Sequence, residues 1–412
     1  MLASVVRADV LRLPDAFRLA LGGHPALEQR RSEVEAAGQD IKSAEWKRFP
    51  TLSIEASQLL TRQKVITTNG NQSAQTLRLD QRLWTFGRIT SEIDAATLRQ
   101  QVAQWQVLET EQELLGRVAQ SYMELVRFNA RIRISERNLQ EHQRLVDLIQ
   151  RRLDAGVSSE VDAALAQARL QQARAERASF AAAALNAQIS LEQLTGAARG
   201  SAETPAMPGR LKWPGALEAR EEMLAWSPTM RRLAAAVSLA EADIKARSAA
   251  VLPEVLARYE HFGGSAQVVP FDRWMVVLQY QPGAGLSQVP LVDAARRRAE
   301  GAASGMEAGK RDLTERVVSQ YNEAQSLLDQ LAPTRNYLNA SVDVMDSYLR
   351  QYTTGRKSWQ EVLNAQRELT QAGYSLADLE AAVTLANLKL DILTGQLSRA
   401  SVFGTSDTTR GP

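Results

Sequence analysis

Two periodicities alternate along the chain. Apolar residues recur at three- and four-residue spacings over about 14–48, 88–153, 159–196, 216–250, 292–352 and 358–395, which predicts six helical segments. Between the first and second of these, and again between the fourth and fifth, the period falls to two. Leu52, Ile54, Ala56 and Leu60 alternate with Thr51, Ser53, Glu55 and Ser57, and Leu77, Leu79 and Leu83 alternate with Arg78, Asp80 and Arg82. Later, Val255, Ala257 and Tyr259 alternate with Arg258 and Glu260, while Trp274, Val276, Leu278 and Tyr280 share one face. Successive side chains of a strand point to opposite faces, so each of these four segments has one apolar face and one polar face. The pattern predicts two hairpins, about 50–86 and 252–282. It fits a half-buried soluble sheet and a transmembrane barrel strand alike.

The same plan is used twice. At an offset of 203, Asp40, Ile41, Lys42 and Pro50 fall on Asp243, Ile244, Lys245 and Pro253, and Pro25 falls on Pro228. At an offset of 199, Gly156, Ala166, Gln167, Leu170, Leu194, Thr195 and Gly196 fall on Gly355, Ala365, Gln366, Leu369, Leu393, Thr394 and Gly395. Self-similarity at a fixed offset marks a repeated unit. The expected division is a first repeat at 1–205, a second at 206–400 and a C-terminal tail at 401–412.

Within each repeat the longest helix is the most regular. Val118, Leu125, Ile132, Leu139, Val146 and Leu153 recur every seven residues, and Val317, Ala324, Leu331, Leu338, Met345 and Tyr352 repeat the spacing. A strict heptad seam predicts left-handed supercoiling against neighbours. At ~1.5 Å per residue, such a helix is a rod of ~100 Å, longer than a globular core needs. Pro333 is expected to interrupt and kink the second rod, because proline has no backbone donor. The partner helices are rich in alanine, as at Ala163, Ala164, Ala166, Ala168 and Ala173. Each rod joins its partner through a glycine turn, Asp154 to Ser158 and Thr353 to Lys357, which predicts two long antiparallel helical hairpins.

Composition removes several function classes. The 412 residues hold 49 Lys and Arg against 47 Asp and Glu, a formal charge of +2, so there is no basic footprint for nucleic acid. Cysteine is absent, which excludes disulfides, thiolate metal sites and cysteine nucleophiles and suits an oxidising compartment. No apolar run of about 18 residues exists for a membrane helix. No signal peptide is visible at the start, so the chain is either cytosolic or begins after a removed leader. His24, His142 and His261 lack a second histidine at metal-ligand spacing, and no GxSxG, HExxH or Walker loop occurs. Gly283 and Gly285 lack the third glycine of a dinucleotide loop, since position 288 is Gln288; a strand-to-helix bend is the expected use. Enzymatic activity, a metal and a cofactor are therefore not expected.

Strand number is the decisive constraint. Four strands cannot close a barrel, whose small examples have eight, and an open four-stranded sheet leaves edges exposed. Copies of the chain sharing one barrel resolve this, with three copies giving twelve strands.

In their order, spacing and duplication, several short features resemble the TolC family of outer membrane channels across nearly the whole length. They are Leu13, Pro14, Asp15 and Ala16 through His24 and Pro25; Phe49 and Pro50; Trp84, Thr85, Phe86 and Gly87; the Gly156 and Gly355 turns; and Leu194, Thr195 and Gly196. The resemblance implies a mainly α fold with a small β part. Long helical hairpins would form an α-barrel, and four transmembrane strands per protomer would join into a 12-stranded barrel. It implies a homotrimer in the outer membrane lipid of a Gram-negative bacterium, with its helices in the periplasm. Partners would be a periplasmic adaptor of the membrane fusion type and an inner-membrane transporter of the ABC class, with no nucleic acid. Residues carry over by position. Glu361 and Asn364 match the acidic ring at the periplasmic entrance, where one acid is replaced. Tyr352, Lys357 and Asp162 match a lock that holds the tip closed. Gly156, Val157 and Ser158, with Gly355 and Arg356, match the adaptor-docking tips. The segment Gln281 to Ser287 looks like that of channels for type I secretion of large adhesins or agglutination proteins, which favours protein secretion. Drug or metal efflux is the competing cargo class, and a soluble coiled-coil scaffold is the competing class of protein.

Overall fold

The computed structural model describes residues 10–59, 72–196, 202–263, 271–281 and 283–403. Nine α-helices and four strands follow one another in the described residues: α1 (Leu13–Gly23), α2 (Pro25–Trp46), β1 (Thr51–Leu59), β2 (Gln72–Trp84), α3 (Arg88–Asp154), α4 (Glu160–Thr195), α5 (Ala216–Trp226), α6 (Pro228–Ala250), β3 (Glu254–Gly263), β4 (Phe271–Gln279), α7 (Gln288–Thr353), α8 (Trp359–Leu393) and α9 (Arg399–Phe403). The mainly α expectation with a small β part is met. Of the residues quoted for the extended segments, Leu60 lies outside the described residues, as do Pro282 of the Gln281 to Ser287 segment and most of the tail.

Three boundaries differ from the sequence expectation, each for a local reason. The first predicted helix is two, α1 and α2, divided at His24, whose extended backbone (φ −72°, ψ 128°) precedes Pro25. Residues before proline are pushed out of the helical region. The same break at Ser227 before Pro228 divides the fourth into α5 and α6. Pro333, by contrast, does not interrupt α7, which is helical from Gln288 to Thr353. One missing donor in a helix of 66 residues leaves the remaining ladder to hold the backbone. The short α9 had no sequence signal in the expectation.

The chain forms two compact units, each built from both halves of the sequence: Met1–Glu28, Glu109–Ser227 and Asp312–Pro412 in one, and Gln29–Leu108 and Pro228–Arg311 in the other. The second unit holds the sheet. Its order is β1-β2-β3-β4, all antiparallel, so the two predicted hairpins are joined into one sheet by β2 and β3. That pairing links residues such as Arg78 and Glu260 across the two repeats, and periodicity within a segment carries no information about it. A register shift between Arg82 and Trp84 marks a bulge where β2 ends.

The two sheet faces separate as the alternation requires. One face carries the cross-strand row Leu52, Leu79, Tyr259 and Trp274. Tyr259 and Trp274 lie 4.7 Å apart between ring centres. Ile54, Trp274, Val276 and Leu278 on this face are exposed to between 68% and 75%, an apolar surface that the single chain leaves uncovered. The other face is an ion-pair ladder. Glu260, only 1% exposed, accepts from Arg78 on β2 and Arg273 on β4 at 2.7 Å each, and Arg258 donates to Asp80 through both arms of its guanidinium. A buried carboxylate is tolerable here because a guanidinium reaches it from each side.

The first unit holds two apolar clusters. One packs α1 against the middle of α3 and the end of α4 around Phe17, Leu21, Leu115, Tyr122 and Leu191. Here the heptad expectation holds, with Val118 and Leu125 buried. Further along α3 the buried line moves to Ser135, Asn138, His142, Leu145 and Ile149, while Ile132, Leu139, Val146 and Leu153 are half-buried. An apolar pattern search passes over three of those five because they are polar. They are tolerated inside because they are bonded or held neutral: the Ser135 hydroxyl donates to the Ile132 carbonyl, and Asn138 Oδ1 accepts from Gln366 and Thr370 of α8.

Candidate functional site at the helical hairpin tips

The two hairpin turns belong to the first unit and share one core. Leu145, Ile149 and Ala166 of the first hairpin pack with Met345, Tyr352, Trp359, Val362 and Leu363 of the second. Each long helix stops in the same way. Gly156 and Gly355 take left-handed backbones (φ 72° and 77°), which lack the steric penalty other residues meet there. The Gly156 N–H donates to Leu153 and the Val157 N–H reaches back to Arg152; Gly355 and Arg356 repeat the pair onto Tyr352 and Gln351. This is the Schellman arrangement, which satisfies the orphan carbonyls of a helix end.

Each following helix starts in the same way too. At α4 the Ser159 hydroxyl accepts from the Asp162 N–H while the Asp162 carboxylate accepts from the Ser159 backbone; at α8 Ser358 and Glu361 do the same. These reciprocal capping boxes lie 199 residues apart, the offset of the repeat. The Ser-x-x-Asp/Glu signature after a glycine stop was legible in the sequence as a helix start and was missed there. Each such cap contributes about 1 kcal/mol.

Beyond the backbone the tips diverge. In the second, Lys357 Nζ donates to Glu361 Oε1 at 2.7 Å and lies 4.3 Å from the centre of the Tyr348 ring. With Lys357 and the Ser358 cap both bonded to it, the Glu361 carboxyl is pulled down to about 2, and the same pair raises Lys357. Tyr352 is buried against Trp359 at 5.4 Å, and the Arg152 guanidinium of the first hairpin sits over its ring at 4.8 Å. In the first tip, Val157 and Val161 are 62% and 75% exposed.

The candidate residues are thus placed as follows. Glu361 occupies the third position of α8, and Asn364 is exposed one turn along. Tyr352 and Lys357 flank the second turn. Within one chain Asp162 is engaged by Ser159 and Lys357 by Glu361, while the cation stacked on Tyr352 is Arg152. Gly156 and Val157 are exposed and Ser158 half-buried; Gly355 and Arg356 are exposed. Sequence reasoning did not single out Arg152, Tyr348 or Trp359. Their ring contacts depend on how the two hairpins pack, which no spacing along one helix encodes. Gly283, just before the 3₁₀ turn between β4 and α7, and Gly285 within it take φ of 81° and 61°, making the bend expected of them.

A protein-family model described as outer membrane efflux protein matches residues 16–197 and, separately, 219–396. The chain belongs to that family. Protein CyaE of Bordetella pertussis is 25% identical over 419 residues, covering 97% of this chain and 87% of that protein. Nodulation protein T of Rhizobium leguminosarum is 23% identical, covering 89% and 78%. Among solved structures, CusC, described in terms of transmembrane channel formation, superposes with a TM-score of 0.82 at 20% identity, covering 93% and 91%. The open state of the MtrE outer membrane channel of Neisseria gonorrhoeae gives 0.77 at 20% identity, covering 97% and 94%. The TolC-family resemblance read from short motifs is borne out. Both of these solved structures are described as channels. No described helix is long and apolar enough to cross a membrane.

Proposed function

We propose that the chain is one protomer of a homotrimeric export channel in the outer membrane of a Gram-negative bacterium. The observation that carries this reading is the sheet: four antiparallel strands with two open edges, β1 and β4, an uncovered apolar face and an ion-paired opposite face. Unpaired edges are not tolerated in hydrocarbon, and twelve strands from three copies pair every edge while turning the apolar faces to lipid and the charged ladder inward. The chain is read as two copies of one unit, 1–205 and 206–400, with a tail at 401–412. Mass measurement of the detergent-solubilised protein, followed by planar-bilayer recording, tests the assembly. A trimer with discrete conductance is expected, and a monomer without conductance overturns it.

The helical hairpins form the periplasmic tunnel in this reading. An adaptor engages the tips at Gly156, Val157, Ser158, Gly355 and Arg356, and an inner-membrane transporter of the ABC class supplies the energy. Three Glu361 side chains, with Asn364, ring the entrance and favour cations at a constriction. Tyr352, Lys357 and Asp162 lock it, with lysine in place of the planar fork of arginine. Replacing Tyr352 by Phe together with Asp162 by Ala is expected to raise single-channel conductance, and unchanged conductance removes them from the lock. Type I protein secretion is the cargo class, on the resemblance of the Gln281 to Ser287 segment; drug or metal efflux is the second reading. Deleting the gene and comparing secreted protein with drug and metal tolerance separates the two. The soluble scaffold finds no support in the family match.

A further inference from the structure

Beside the tips, α3, α4 and α8 line a partly open cavity of about 310 Å³ within the first unit. It has room for a small ion together with several waters. His142 and Tyr374 stand in its wall, 7% and 6% exposed, and neither the His142 Nδ1 nor the Tyr374 hydroxyl has a hydrogen-bond partner among the described residues. Folded interiors leave few buried polar atoms unpaired, so two at one cavity need a physical reason. Burial, with Arg169 nearby, lowers the pKa of His142 and keeps the ring neutral. Burial pushes Tyr374 up to about 12, so its hydroxyl keeps a proton to donate.

The charges around the cavity have one sign in excess. Its lining includes Arg131, Arg169 and Arg367 against one carboxylate, Glu176. Arg131 donates to Asp378 from α8, which cancels it, and Glu176 accepts from the neutral Gln172. Arg169 also turns to Gln172, and Arg367 has no ion-pair partner among the described residues. Three guanidiniums less Glu176 and Asp378 leave one positive charge. Arginine forks match the paired oxygens of phosphate and carboxylate, and a hydroxyl donor beside them completes the coordination such a group needs.

We infer that this cavity binds a small oxyanion, a phosphate or short carboxylate, held by Arg169 and Arg367 with the Tyr374 hydroxyl donating to it. Both unpaired atoms are out of reach of solvent as they stand, so seating the ion includes a small turn of Tyr374 toward it. The site does not depend on the export reading. It lies where the two hairpins meet, so an occupied cavity would stiffen the same helices that carry the tips.

The test uses the full-length chain in detergent, titrated calorimetrically with inorganic phosphate and separately with succinate, at ionic strength held constant with sodium chloride. Saturable binding of either ion is expected, together with a rise in melting temperature. Arg367→Gln and, separately, Tyr374→Phe should each weaken that binding tenfold or more, since each removes a hydrogen bond to a charged group. Arg367 is exposed and Phe preserves the ring against Phe180, so both variants should keep the wild-type circular dichroism. Phosphate-only or succinate-only binding that both variants lose names the group the site takes. No saturable response to either ion, or affinities unaltered in both variants, overturns the proposal.

Discussion

The two hairpin tips are the same device seen twice, and their difference is instructive. Both end a long helix on a left-handed glycine and restart on a serine with an acid three residues later. Those positions are dictated by backbone geometry, which is closely similar in both turns. At the position after the capping serine, however, the first tip has Glu160 and the second has Trp359. One is exposed and the other is 4% exposed against Tyr352. The first tip shows valines to solvent, and the second shows Arg356 and the Lys357–Glu361 pair. A repeated unit therefore keeps the residues its turn requires and changes the residues its surroundings see. Exposed Val157 and Val161 give the first tip an apolar surface, while the second combines its core aromatic with a charged surface.

The strongest challenge to that contrast is truncation at the paired positions. Trp359→Ala should destabilise the helical part by about 3–5 kcal/mol, as expected for a buried aromatic, whereas Glu160→Ala should stay within about 0.5 kcal/mol. Denaturant titration of the two variants measures both. Equal losses would show that the tips are energetically alike. The shared part is tested next: Ser159→Ala and Ser358→Ala should each cost about 1 kcal/mol, and a difference larger than that between them would mean the caps are not equivalent.

Surface changes come third. Val157→Asp with Val161→Asp should leave stability within about 0.5 kcal/mol, because both side chains are exposed, yet weaken co-purification with an adaptor. Undiminished adaptor capture would place docking elsewhere. The smallest effect is acid sensitivity of the second tip. The Glu361 carboxyl lies below its ordinary 4.5, at about 2, so its contribution is complete above the higher value and fades as pH falls through the lower one. Melting temperatures followed from pH 5 to pH 2 should therefore drop less in Glu361→Gln than in the unaltered chain, and parallel curves would remove Lys357 and Glu361 as a stabilising pair.

How much of this was legible from residues alone differs by region. The strand segments, the long helices and both glycine stops follow from periods of two and seven and from left-handed positions, so they were readable. The buried line of α3 past Ile132 was not, because Ser135, Asn138 and His142 look like surface residues until α8 brings Gln366 and Thr370 to them. The same holds for the Arg152, Tyr352 and Trp359 stack, whose members come from different hairpins.

By itself the order of amino acids determined the local conformations, the duplication and the imbalance between four strands and a closed barrel, since each depends on steric and hydrophobic patterns within a few turns of chain. Only the folded arrangement decided that β2 meets β3, that Glu260 is clasped by two arginines, and that a cationic cavity opens beside the tips. Those contacts join residues far apart along the chain, and their energy exists only after packing has excluded water and brought the partners within a few ångströms.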